Sequence, residues 1–262
     1  MKKMNYMLIA AAIALGTNAA EITKSGSNWQ VDGGGQITIN DATVTASNYF
    51  DGGNLYIGPA GVAGSNNRLV IDGATNVQVG GGSGNIYIGY ASGKNNNTLA
   101  LTNGATVSAG FLTIGTDSGS GSTGNRVILG EGSQLNFSEN FFLYAGNTLE
   151  FAGGAMSLSF MNQYLFISTG SEIVVSGDYA VGETLISSWS GLFGTGNITN
   201  NTALLDVFNA AGKDRYTFAI DGTPGTYRLY VSSVIPEPAS VLMVFSAAGI
   251  IAFFRRMFFS RK

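Results

Sequence analysis

The chain reads as an all-β protein: a right-handed parallel β-helix of about five coils, closed by a C-terminal β-hairpin cap. Three observations predict this. The composition is turn-rich and weakly charged, with 38 glycines in 262 residues and only 11% charged side chains, which suits neither a helical nor a disordered acidic chain. Short runs of Val, Ile, Leu, Phe and Tyr alternate with polar residues between the turns, the pattern of half-buried strands. The sequence also repeats itself at intervals of 22 to 30 residues, which points to a solenoid.

Each repeat carries three short strands. The first motif is Leu55-Tyr56-Ile57-Gly58, again at Ile86-Tyr87-Ile88-Gly89 and Leu112-Thr113-Ile114-Gly115, with Leu143-Tyr144-Ala145-Gly146 as a degenerate fourth copy. The second begins at Asn67, Asn97, Asn125 and Asn147, spaced by 30, 28 and 22 residues, with Ser171 as a fifth start 24 later. The third comprises Val77–Val79, Ala105–Val107, Leu135–Phe137 and Met156–Leu158. One coil cannot bury its apolar side alone, but a stack of coils closes a continuous core. The period of two then turns Leu55, Ile57, Leu69, Ile71 and Val79 inward, with Ile86, Ile88, Leu99, Leu101 and Val107 as their counterparts. Tyr56, Arg68, Thr98, Arg126 and Thr148 turn outward. The repeated asparagine suits a corner, through a left-handed backbone or a side-chain bond, and a stacked asparagine ladder would satisfy its own amides.

The connections between first and second strands hold 8, 7 and 9 residues in the first three repeats: Pro59–Asn66, Tyr90–Asn96 and Thr116–Gly124. On a solenoid such insertions stack along one edge, where ligands are often bound. Tyr56 and Tyr87 on the adjacent outer face form a possible ligand face. The repeat fades after about residue 182. Thr184–Trp189 and Ala203–Phe208 are apolar segments, and Tyr216–Ile220 and Tyr227–Val231 alternate around Asp221-Gly222-Thr223-Pro224-Gly225 as a hairpin. That hairpin would cap the open end of the stack. The competing architecture is a β-sandwich or jelly roll, which would pair the repeats as antiparallel hairpins. The repeats are similar to the passenger-type β-strand repeats of bacterial autotransporters over roughly residues 35–180.

Both ends of the chain argue for export. Lys2 and Lys3 precede the apolar run Met7–Leu15, and Thr17-Asn18-Ala19-Ala20 offers small residues for cleavage after Ala19 or Ala20. At the other end stand Pro236-Glu237-Pro238, an uncharged run Ala239–Phe254 and the basic residues Arg255, Arg256, Arg261 and Lys262. As a helix the 16-residue run would reach ~24 Å, just short of a ~30 Å hydrocarbon core. Flanking Phe258 and Phe259 and snorkelling arginines would complete a transmembrane helix. The positive-inside rule leaves the tail cytoplasmic and the body outside. The division is therefore signal peptide 1–20, repeat domain 21–182, β cap 183–232 and sorting or anchor segment 233–262. The C-terminal pattern closely resembles the PEP-CTERM sorting tail of Gram-negative surface proteins. The resemblance implies that a membrane-embedded exosortase recognises Pro236-Glu237-Pro238 and cuts near it. It implies further that the protein starts as an inner-membrane-anchored precursor and ends in the envelope or outside the cell. Proteins of that family accompany exopolysaccharide production and biofilm-type surfaces.

Composition narrows the chemistry. Residues 21–235 carry 15 acidic and 7 basic side chains, a net charge of −8, which opposes nucleic-acid binding. There is no histidine or cysteine, which removes His- and Cys-based nucleophile systems and His or thiolate metal sites. No catalytic residue, metal site or cofactor is expected. The carboxylates Asp72, Asp117, Glu131, Glu139, Glu150 and Glu172 are scattered singly. Glu150 and Glu172 fall on one strand position of adjacent coils, one residue out of step, and read as surface solvation. The expected protein is a non-enzymatic surface or matrix component. The alternatives are a carbohydrate-binding module and, further off, a polysaccharide lyase or hydrolase.

Overall fold

A computed structural model describes residues 21–235 apart from 26, 33–34, 41–49, 51, 60–64, 117–120, 160–164, 189–200, 213 and 224–225. The described chain is a β-solenoid built from three sheets. The first sheet orders Glu21–Ser25, Asn28–Asp32, Leu55–Ile57, Ile86–Ile88, Leu112–Ile114, Phe141–Leu143 and Leu165–Ile167. The second stacks Gly35–Asn40, Asn67–Asp72, Thr98–Thr102, Arg126–Gly130, Thr148–Ala152 and Glu172–Val175. The third stacks Val77–Gln78, Thr106–Ala109, Gln134–Phe137, Ala155–Leu158 and Thr184–Ser188. Successive copies of each strand are parallel and in register. A sandwich of hairpins is thereby excluded. Parallel pairing runs on through Thr184–Ser188, a few residues past the point where the sequence repeat fades.

The core is the column of inward side chains. Leu55, Ile57, Leu69, Ile71, Val79, Ile86, Ile88, Leu99, Leu101 and Val107 are all fully buried. Two registers differ from the sequence alignment. Val107 pairs with Val77, not Val79, and the fourth copy of the first strand is Phe141–Leu143, paired with Leu112–Ile114. The alignment followed Gly146, but Tyr144 holds the place that Gly115 holds one turn earlier. Both slips are of two residues, so inward and outward faces are preserved.

Asparagines build the corner between first and second sheets. Asn67, Asn97, Asn125 and Asn147 are completely buried. Each of the first three donates its Nδ2 to the next Oδ1, at 2.9, 3.0 and 2.9 Å. The same oxygens accept the backbone N–H groups of Asn67, Asn97 and Asn125. The ladder ends at Asn147, whose Nδ2 donates to the carbonyls of Ser122, Tyr144 and Ala145. The left-handed residue is the one before each ladder member: Asn66 (φ 61°), Asn96 (φ 58°), Gly124 (φ 69°) and Gly146 (φ 73°). The glycine closing the first motif is explained by the same ladder. A Cβ on Gly115 would lie 2.2 Å from Asn147 Nδ2, and φ there is +84°. A second, shorter ladder opens the first sheet, where Asn28, Asn54 and Asn85 accept the N–H groups of Asn54, Asn85 and Phe111.

Both ends of the stack are covered. Glu21–Ser25 folds back antiparallel on Asn28–Asp32. At the far end Tyr216–Asp221 and Tyr227–Val234 form the expected hairpin, and its second strand joins the third sheet antiparallel to Thr184–Ser188. The cap also contains a helix, Asn201–Gly212, where an apolar β segment was expected. Leu204 and Phe208 are fully buried and Ala203, Val207 and Ala211 partly so, spaced as the inner face of a helix. Phe208 packs against Phe151 of the last turns and Phe218 of the hairpin, with ring centroids 5.6 and 5.8 Å apart. The segments expected to form a signal helix and a C-terminal transmembrane helix lie outside the described residues. Among the described residues no helix is long and apolar enough to cross a membrane.

Candidate functional site: the outer face of the first sheet

The outward residue of each first-sheet strand is its middle one. Register therefore aligns Gln30, Tyr56, Tyr87, Thr113, Phe142 and Phe166 in a column along the solenoid axis. Tyr56 and Tyr87 sit side by side as the sequence implied, their rings stacked at 4.7 Å and 9°. Tyr90, from the second insertion, meets Tyr87 edge-on at 4.6 Å and is 48% exposed. Phe111 bridges Tyr87 and Phe142 at 5.3 and 6.1 Å, and Tyr144 and Phe166 continue the contacts. Seven rings thus form one band, and Thr113 is buried beneath it.

The band's chemistry follows from ring orientation. Tyr56 and Tyr87 turn faces toward each other, so those shared faces are closed to a ligand. Burial pushes the Tyr87 phenol above its ordinary value, against a smaller opposing effect of its hydrogen bond with Asn85. It therefore stays a neutral donor at physiological pH. The described residues at the C-terminal ends of the insertions bond from one turn to the next. Asn95 N–H donates to Ser65 Oγ, Thr123 N–H donates to Asn95 Oδ1, and Asn96 Nδ2 donates to Asn66 Oδ1. Backbone bonds from Asn66 to Asn95 and from Asn96 to Thr123 knit the loops together.

The carboxylates fare differently. Glu150 is buried to 8% exposure, ion-paired with Arg126 and hydrogen-bonded by Ser176. It is a packed member of the second sheet's outer face and not a solvating charge. Glu172 pairs with Thr148, and Val174 lies opposite Glu150, so the two carboxylates are two residues out of step. Among the described residues no cluster of acidic side chains could hold a metal ion. Ala19, Ala20, Pro236, Glu237, Pro238, Arg255, Arg256, Arg261 and Lys262 lie outside the described residues.

Sequence reasoning found two of the seven rings. Two of the others were legible in principle, because Phe142 and Phe166 are the middle residues of the fourth and fifth copies of the first motif. Misplacing the fourth copy hid them. Comparison with protein families, curated proteins and solved structures finds no match for this chain.

Proposed function

We propose that this is a non-enzymatic, exported surface or extracellular-matrix protein, tethered through its C-terminal segment and processed there by an exosortase-type enzyme. The body is a stiff solenoid for display in an exopolysaccharide or biofilm-type matrix. The observation that carries this reading is the order Pro236-Glu237-Pro238, apolar run, basic tail. That order begins one residue after Ile235, whose N–H still bonds the Arg215 carbonyl at the edge of the cap. The signal-type N-terminus supports the same side of the membrane, and β1 of the body begins directly after Ala20, at Glu21–Ser25. Intact-mass analysis of envelope fractions tests it. The mature protein should lack both ends, and Glu237→Ala should retain the basic tail. An intact C-terminus on the wild-type protein would refute processing.

A second reading, a carbohydrate-binding module, is favoured by the band of seven rings. Glycan binding abolished in the Tyr56→Ala plus Tyr87→Ala variant would support it, and unchanged binding would remove that face from consideration.

A further inference from the structure

Tyr90 is the one exposed tyrosine among the described residues. It stands where the chain leaves the first sheet, just past the strand Ile86–Ile88. Gly89 makes the turn there: its φ is +61°, and a Cβ on it would collide with the Asn125 side chain. The asparagine ladder thus fixes the direction in which Tyr90 departs, and Ser122 Oγ donates to the Gly89 carbonyl from the next turn. The result is a phenol in solvent whose ring rests against that of Tyr87, with centroids 4.6 Å apart and planes inclined by 60°. That separation is little more than the one between two directly bonded phenol rings.

Phenols so placed can be joined by oxidation. Each loses one electron and one proton to become a phenoxyl radical, whose unpaired electron is shared with the carbons ortho to oxygen. Two such radicals form one C–C bond between ortho carbons. The hydrogen on each of those carbons then moves to an oxygen, restoring two phenols. One hydrogen peroxide takes up the two electrons and two protons and leaves as two waters. Radicals held side by side need no diffusional encounter. Exposure lets an oxidant reach Tyr90, and contact lets Tyr87 pass its electron to the Tyr90 radical, so that Tyr90 can be oxidised again. The neighbouring pairs are less suited. Parallel strands hold the Cβ atoms of Tyr56 and Tyr87 ~4.8 Å apart, closer than two ortho-linked tyrosines allow, and their rings lie face to face at 9°. Tyr179 and Tyr216 are buried, with centroids 6.0 Å apart.

We propose that Tyr87 and Tyr90 are an oxidative coupling site, at which hydrogen peroxide and a haem peroxidase form a dityrosine bond within the chain. The bond pins the second insertion to the first sheet, in a chain with no cysteine to make a disulfide. Only the source of the oxidant rests on the surface-protein reading. The coupling is a property of the folded body, so either can fail alone.

The test treats the full chain in detergent micelles with a haem peroxidase and equimolar hydrogen peroxide, then follows dityrosine fluorescence and maps tryptic peptides by mass. Cleavage after Arg68 and Lys94 places Tyr87 and Tyr90 in one peptide, residues 69–94, and Tyr56 in another, residues 25–68. From the monomeric protein, the 69–94 peptide should appear two hydrogens lighter. Tyr90→Phe, which keeps the ring and its packing, should abolish that lighter peptide and its fluorescence at an unchanged melting temperature. Tyr56→Phe should leave it in place. A synthetic peptide of residues 69–94, with the same spacing but without the solenoid, should couple less. The proposal is overturned if no lighter peptide forms under conditions that couple free tyrosine, if the bond instead joins 69–94 to 25–68, or if it forms only between chains. Equal yields from the protein and the free peptide also overturn it, because closeness in sequence would then be enough.

Discussion

Asn97 shows how one side chain can stand in for solvent at a buried corner. Its Oδ1 accepts from both the backbone N–H and the Nδ2 of Asn67, and its own Nδ2 donates to Asn125. Asn97→Ala would strand two buried donors of Asn67 at once. At ~1–3 kcal/mol for each orphaned group, the loss should be at least about 2 kcal/mol, read as a lower midpoint in urea denaturation. Asn66 next door is exposed and holds φ 61°, so Asn66→Gly should stay within ~1 kcal/mol of wild type. If the two variants lose equal stability, the ladder is not what holds the corner. The ladder was legible in the sequence because the asparagine recurs at fixed intervals before an apolar strand. Assignment of the left-handed residue was not. Asn66-Asn67 and Asn96-Asn97 place two residues that both tolerate φ > 0 side by side, and only the buried bonding pattern separates their roles.

At the scale of elements, inward and outward faces were readable and registers were not. A period of two fixes which side chains enter the core, whereas a slip by two residues leaves that pattern untouched. The copy at Phe141–Leu143 was missed for this reason: Tyr144 replaces the corner glycine, so the next glycine attracted the alignment. The helix Asn201–Gly212 was missed for another. Ala203-Leu204-Leu205 and Val207-Phe208 are short contiguous apolar runs, and such runs do not distinguish strand from helix by periodicity. The burial of Leu204 and Phe208 decides it, because the helix packs across the last second-sheet strand and the hairpin. Phe208 is the plug of the C-terminal end, fully buried between Phe151 and Phe218. Phe208→Ala should therefore cost about 3–5 kcal/mol. Hydrogen exchange should show the loss first in Glu172–Val175 and Tyr216–Asp221, since a stack of repeats frays from the end that loses its cap. Uniform deprotection from the first turn to the last would instead mean that the helix does not guard that end.

For the whole molecule, ionisation should leave stability level through the neutral range and erode it at both extremes. The sequence has no histidine, so the side chain that ordinarily titrates near ~6.5 is missing. On the acid side, the hydrogen bond from Arg228 holds the Asp221 carboxyl below its ordinary value of 3.8. Its contribution is present above that value and is lost as pH falls through the lower folded one. On the alkaline side, burial pushes the Tyr179 phenol above its ordinary value of 10.0, and Tyr87 is displaced the same way. Both tyrosines ionise more readily when unfolded, so the unfolded chain binds fewer protons at high pH. Their contribution is intact below the unfolded value and drains away as pH climbs toward the folded one. Tyr179 is also the clasp between cap and stack. Its hydroxyl donates to the Gly154 carbonyl and accepts from Gly153 N–H, and its own N–H donates to Tyr216 Oη. The denaturation midpoint should thus be flat from about pH 5 to 9 and fall beyond about 10. Tyr179→Phe should begin lower at neutral pH, having lost two hydrogen bonds worth ~0.5–1.5 kcal/mol each, yet decline less steeply in alkali. Parallel alkaline limbs in wild type and variant would show that this phenol does not control the high-pH unfolding of the solenoid.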